Sequence, residues 1–190
     1  MQRADVLAMS NPRLRATLRA GEPIEARALD DTAYRGVSLG LPRFVERLTW
    51  KTFQKTFHRD PASGALRGWN VRVEQRGLDA ATVARTRRGV DWTFGHYQVV
   101  SAAGYKNPWP VNQALMIDYQ IGGNSRWDPM NWVKDPLVAI NAGSVELLLG
   151  WSYVDLGFLQ LSTPTFFLLE REGALTSLVA PPAQRRLSSG

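Results

Sequence analysis

Two side chains stand where they could do chemistry. Asp118 sits inside the run Leu115-Met116-Ile117-Asp118-Tyr119-Gln120-Ile121, where a carboxylate is costly unless it is paired or exposed. His96 follows Trp92 and Phe94 on one face of an alternating segment, and imidazole is the side chain best placed to exchange a proton near neutral pH. Facing one cavity, the two could orient a ligand or act as acid and base. Each also has a purely structural reading. Asp118 then lies on the solvent side of a half-buried strand, and His96 is a satisfied core or rim residue.

Seven tryptophans, Trp50, Trp69, Trp92, Trp109, Trp127, Trp132 and Trp151, are spread along the chain. Aromatic rings lining a cavity bind apolar or flat molecules, and the indole N–H adds polar specificity; the same residues also fill cores and anchor turns. The candidate ligand-binding set is therefore Trp50, Trp69, Trp92, Phe94, His96, Met116, Asp118, Trp127 and Trp151. His96 and Asp118 double as catalytic candidates. The stretch from Asn124 to Pro136 is long and polar, and could close Arg126, Trp127 and Trp132 over a ligand as a lid. Within it, Asp128-Pro129 and Asp135-Pro136 each read as turn initiators.

Other chemistries are excluded by composition. The chain has no cysteine and only two histidines, His58 and His96, which rules out thiolate nucleophiles, disulfides, iron–sulfur clusters and multi-histidine metal centres. Its glycines take neither phosphate-loop nor dinucleotide spacing, and no Gly-x-Ser-x-Gly or His-Glu-x-x-His phrase occurs. No cofactor and no metal are expected.

The elements that must position these residues are mostly strands. Asn11-Pro12 signals a helix start with Asn11 as cap and Gly21 as stop, and Leu14, Leu18 and Val6 form its apolar stripe. Residues 21–34 read as a connector. Leu41 to Leu48 fits a short helical turn running into a strand over 49–57. Asp60-Pro61-Ala62-Ser63-Gly64 is a hairpin signal joining that strand to another over 66–74. Further strands are predicted over 91–101, 114–121, 137–140, 145–154 and 166–171, with a last short one over 175–179. Six or more short strands separated by turns imply an antiparallel sheet that closes or stacks.

At 190 residues, with 44% hydrophobic and 21% charged side chains, the chain reads as a single folded domain. Its parts are a helical front end and connector over 1–34, a β body over 35–180 and a flexible tail over 181–190. The net charge is +6, with 17 basic and 9 acidic residues in 1–90 against 6 and 8 in 91–190. A basic half could be a footprint for nucleic acid or an anionic surface, but no run exceeds two or three residues, so nucleic acid is disfavoured as a partner. Trp50, Lys51, Phe53 and Lys55 come nearest to a stacking platform, yet Phe53 and Lys55 share a face from which Trp50 points away. Neither a secretory signal nor an apolar run of membrane-spanning length is present, which makes a cytoplasmic location the expectation. Oligomeric state is not legible.

Several phrases resemble bacterial lipocalin-like (calycin-type) proteins, especially the family known by its GXWXG signature. They are Leu48-Thr-Trp50-Lys51-Thr-Phe53, Asp135-Pro-Leu-Val-Ala, Leu147-Leu-Leu-Gly150 and Thr163-Pro-Thr-Phe166-Phe-Leu-Leu-Glu-Arg171. Glycines expected around the signature tryptophan are replaced at Thr49 and Lys51. The resemblance implies a small antiparallel barrel with an apolar interior and a helix packed against it, and supplies no catalytic set. The fold class expected is mainly β, a lipocalin-like antiparallel barrel or curved sheet with one N-terminal α-helix. The leading functional expectation is binding of a small lipophilic molecule in an aromatic-lined cavity. The alternatives are a cofactor-independent isomerase, cyclase or dehydratase using the same cavity, and a basic module binding nucleic acid or protein.

Overall fold

The computed structural model describes residues 1–40, 51–111 and 113–182. Eight strands close into a barrel: β1 (Thr32–Leu39), β2 (Thr52–Arg59), β3 (Leu66–Arg72), β6 (Thr93–Ser101), β7 (Leu115–Asp118), β8 (Val133–Asn141), β9 (Ser144–Asp155) and β10 (Gln160–Ala174). Each pairs antiparallel with its neighbours, and β1 closes the circle against β10. Between β3 and β6 the chain makes an excursion, a two-stranded ribbon of β4 (Thr86–Arg87) and β5 (Val90–Asp91). Arg88 and Gly89 turn this ribbon with positive φ angles of 56° and 76°.

Alternation decides which side chains enter the barrel. On β2, Phe53, Lys55 and Phe57 point inward, and Leu148 and Gly150 do so on β9. Two interior glycines make room for rings on the strand beside them. A Cβ on Gly36 would lie 2.4 Å from the ring of Phe53, and one on Gly150 would lie 2.0 Å from that of Phe167. The outer faces of β9 and β10 are buried as well. Two short helices, α1 (Arg3–Leu7) and α2 (Asn11–Arg19), place Val6, Leu14 and Leu18 against Leu149, Trp151, Phe166 and Leu168. Leu147 to Trp151 and Phe166 to Leu169 therefore read as unbroken apolar runs, the pattern of strands buried on both faces.

Several expectations are corrected in detail. The connector predicted over 21–34 holds a 3-10 turn, Ala26–Leu29, and the start of β1, which Gly36 and the buried Thr32 conceal from an apolar/polar reading. The helix cap is Ser10, not Asn11, whose amide instead donates to the Gly40 carbonyl oxygen at 3.2 Å. Residues 175–179 form no strand, although Val179 packs on Trp69 and Val71. The helical turn expected at Leu41 to Leu48, and Trp50, lie outside the described residues.

Candidate functional site

The barrel has two unlike ends. At one, the connector seals the interior: Ile24 and Leu29 lie against Tyr34, Phe57, Leu66 and Tyr97, all buried, and the Tyr34 hydroxyl donates to the Val145 carbonyl oxygen at 2.9 Å. At the other, Phe53, Arg72, Phe94, Met130 and Val133 are only partly buried. The β4–β5 excursion and the 119–132 connection belong to this second, loop end. Here Arg72 lies over Trp92 at 4.2 Å and Phe94 at 5.6 Å from the ring centres.

Midway between the ends sits a charged pair inside the barrel. Lys55 is 1% exposed, and its Nζ donates to the Tyr119 hydroxyl at 2.8 Å. That hydroxyl donates in turn to Asp135 Oδ2 at 2.8 Å, and the lysine and aspartate lie 3.7 Å apart. Asn70 and Ser152 are the polar neighbours of Tyr119 and Asp135, and the Asn70 amide donates to the Gly95 carbonyl oxygen at 3.1 Å. Four rings surround the ammonium: Tyr97 at 4.5 Å, Tyr119 at 5.2 Å, Phe167 at 5.3 Å and Phe53 at 6.0 Å. Burial outweighs these favourable contacts and lowers the lysine to about 8, while it pushes the Asp135 carboxyl up and the Tyr97 and Tyr119 hydroxyls well above their usual range.

The loop end adds one more side chain beside this cluster. Met130, from the 3-10 turn Pro129–Trp132, reaches inward to the Gly95 backbone beside Asn70 and Tyr119; a Cβ on Gly95 would lie 3.1 Å from both Met130 Cε and Tyr119 Cε1. Asp128 starts that turn by accepting from the Met130 N–H at 2.9 Å, as its Asp-Pro phrase predicts. Asp135-Pro136, by contrast, initiates no turn. It lies inside β8, facing Ile117 and Met116, because the polar connection ends at Trp132.

Met130, rather than the expected tryptophans, is the side chain this connection places inward: Trp127 is 78% and Trp132 56% exposed, with Arg126 over Trp127 at 4.5 Å. Asn124 ties the connection down by accepting from the His96 N–H at 2.8 Å and donating to the carbonyl oxygens of His96 and Tyr119 at 2.7 and 2.8 Å.

The structure does not bring the sequence-derived candidates together. His96 and Trp69 lie on the outside of β6 and β3, rings 6.1 Å apart, in the region covered by Val179. Asp118 also faces outward, but is buried instead of solvated. It pairs with Lys134, accepts from the Tyr105 hydroxyl at 2.7 Å and from the Gln120 N–H at 2.8 Å. Met116 and Trp151 belong to the outer core, where Trp109 stacks on Trp151 at 3.8 Å. Among the described candidates, Trp92 and Phe94 lie at the loop end beside Arg72, and Trp127 lies there turned out to solvent. Lys55, Tyr119, Asp135 and Asn70 were missed as a site. Their signal was Lys55 at the centre of Phe53-x-Lys55-x-Phe57, a lysine on the face of two phenylalanines.

Among the described residues, no cluster of three or more His, Asp or Glu could hold a metal ion, and no helix is long and apolar enough to cross a membrane. Comparison with family models, curated proteins and solved structures gives no match. The small antiparallel barrel implied by the lipocalin-like resemblance is present, and it has eight strands. Nothing ties the chain to that family or to the GXWXG signature.

Proposed function

We propose that this protein binds a small apolar molecule bearing one polar group, which enters at the loop end and places that group beside Lys55, Tyr119 and Asp135. The observation that carries the reading is the charged pair itself. An ion pair in an apolar interior is often no more stabilising than apolar residues of the same volume, so its presence in the barrel favours a use beyond stability. The graded burial from the sealed end to Phe53, Arg72, Phe94 and Met130 supplies a direction of entry.

Around Lys55 the aromatic side chains fill the barrel instead of lining an open cavity, as the width of an eight-stranded barrel allows. A ligand therefore enters by displacing side chains. Met130, unbranched and only partly buried at the edge of the cluster that holds Tyr119, is the one best able to yield. Native and denaturing mass spectra of protein isolated gently from its host test the reading. A stoichiometric apolar adduct lost on denaturation is the expected result. An adduct-free protein that also fails to bind apolar alcohols and aldehydes in titration would overturn it.

The macromolecular reading is weaker. Lys55 and Lys134 are both buried, so neither contributes to a basic surface.

A further inference from the structure

We propose that Lys55 is a reversible covalent site for an apolar aldehyde or ketone, which it holds as an imine inside the barrel. The inference rests on entry at the loop end and names the polar group that entry delivers.

The surroundings of the amine select among possible head groups. A carboxylate or phosphate would have to sit beside Asp135, which already lies 3.7 Å from Nζ and has no room in which to be screened. A second cation would meet Lys55 itself. A hydroxyl would be accepted, but gains nothing from a lysine that a tyrosine or an asparagine would not provide. A carbonyl is neutral, flat enough to lie among the rings of Tyr97, Tyr119 and Phe167, and electrophilic towards an amine. Desolvation among apolar side chains is also what makes a lysine nucleophilic, because it raises the uncharged fraction of the amine above that of an exposed lysine.

The atoms balance without any further reagent. The ammonium first gives its extra proton through Tyr119 to Asp135; the freed nitrogen lone pair then attacks the carbonyl carbon, forming the C–N bond, and the carbonyl π electrons pass to oxygen, which takes a second proton shed by nitrogen. The resulting carbinolamine loses water as its C–O bond breaks and the nitrogen lone pair closes the C=N bond. The nitrogen keeps its remaining hydrogen, so the product is an iminium whose charge the Asp135 carboxylate balances as it balances the ammonium. Tyr119, bonded to both Lys55 and Asp135, is positioned to pass a proton to the departing oxygen.

The chain offers an internal control. It has four lysines, Lys51, Lys55, Lys106 and Lys134, so an adduct is readily mapped. Lys134 is as deeply buried as Lys55 but lies on the outer face, paired with Asp118 and donating to Gln120 at 3.2 Å. It should not react.

The full chain is incubated with decanal or 2-naphthaldehyde, one flexible and one flat, and with the matching alcohols as unreactive counterparts. Borohydride then reduces any C=N bond to a stable secondary amine, and the protein is digested and mapped. The expected result is a mass gain equal to the aldehyde less one oxygen atom, found on Lys55 and suppressed by an excess of the matching alcohol. If aldehyde and alcohol both bind but no adduct forms, or it forms only on Lys51, Lys106, Lys134 or the amino terminus, the imine is excluded and loop-end binding stands. If neither binds and Lys55 is unmodified, both fail. Because the mapping is done on the wild-type chain, it does not depend on a Lys55 variant folding.

Discussion

Lys55 and Asp135 each hold a charge that the barrel interior would otherwise reject, so removing one strands the other. Asp135→Asn should cost about 3–5 kcal/mol in urea unfolding, the scale for breaking a buried pair, whereas Lys55→Met combined with Asp135→Asn should recover much of that loss. A single variant as stable as the wild type would mean that the pair is not buried in solution. The lysine also sets a pH dependence. Its folded value of about 8 lies below the ordinary 10.5, so between these values the unfolded chain holds a proton the folded chain has released. Stability contributed at this site therefore rises as pH increases through that window. Unfolding free energies measured from pH 8 to 10 should show the wild type gaining on Lys55→Met; a flat or falling difference would contradict the direction of the shift. The comparison with the variant is needed because Tyr34, pushed up to about 12 by burial, withdraws stability as pH rises above 10 in both proteins.

At the scale of elements, the barrel depends on small residues placed opposite large ones. Gly150 pairs with Phe167 across β9 and β10, and a side chain at 150 would strike that ring. Gly150→Val should lower stability by about 1–3 kcal/mol or more by overpacking, read as a shift in the thermal midpoint; an unchanged midpoint would show that Phe167 can move aside. Much of this architecture was legible because the strands obey period-two alternation, as in Phe53, Lys55 and Phe57 or Leu115 and Ile117. β1 was not, since a mid-strand glycine and burial on both faces erase the alternation. The site was legible only in part. Asp118 and His96 stand out by type, but both face outward, and the Gly95 bulge (φ 51°) places Phe94 opposite Asn70 while His96 points away. The partners of Lys55 lie 64 and 80 positions further along the chain, and only barrel closure brings them together.

The molecule as a whole is a barrel with one end sealed by its own connector and the other finished by loops. The exposed apolar side chains Trp127, Trp132, Phe158, Leu159 and Leu161 belong to the β7–β8 and β9–β10 connections at that loop end or to the strand leaving it. Entry of a ligand there is the claim on which the functional reading turns. Backbone amide chemical-shift mapping during titration with decanol tests it most directly. The shifts should concentrate at Phe53, Asn70, Arg72, Phe94, Gly95 and Met130 and extend inward to Lys55, Tyr119 and Asp135. Shifts confined to the outer faces around Trp69 and His96, or around Trp109 and Trp151, would place the binding surface outside the barrel and contradict it.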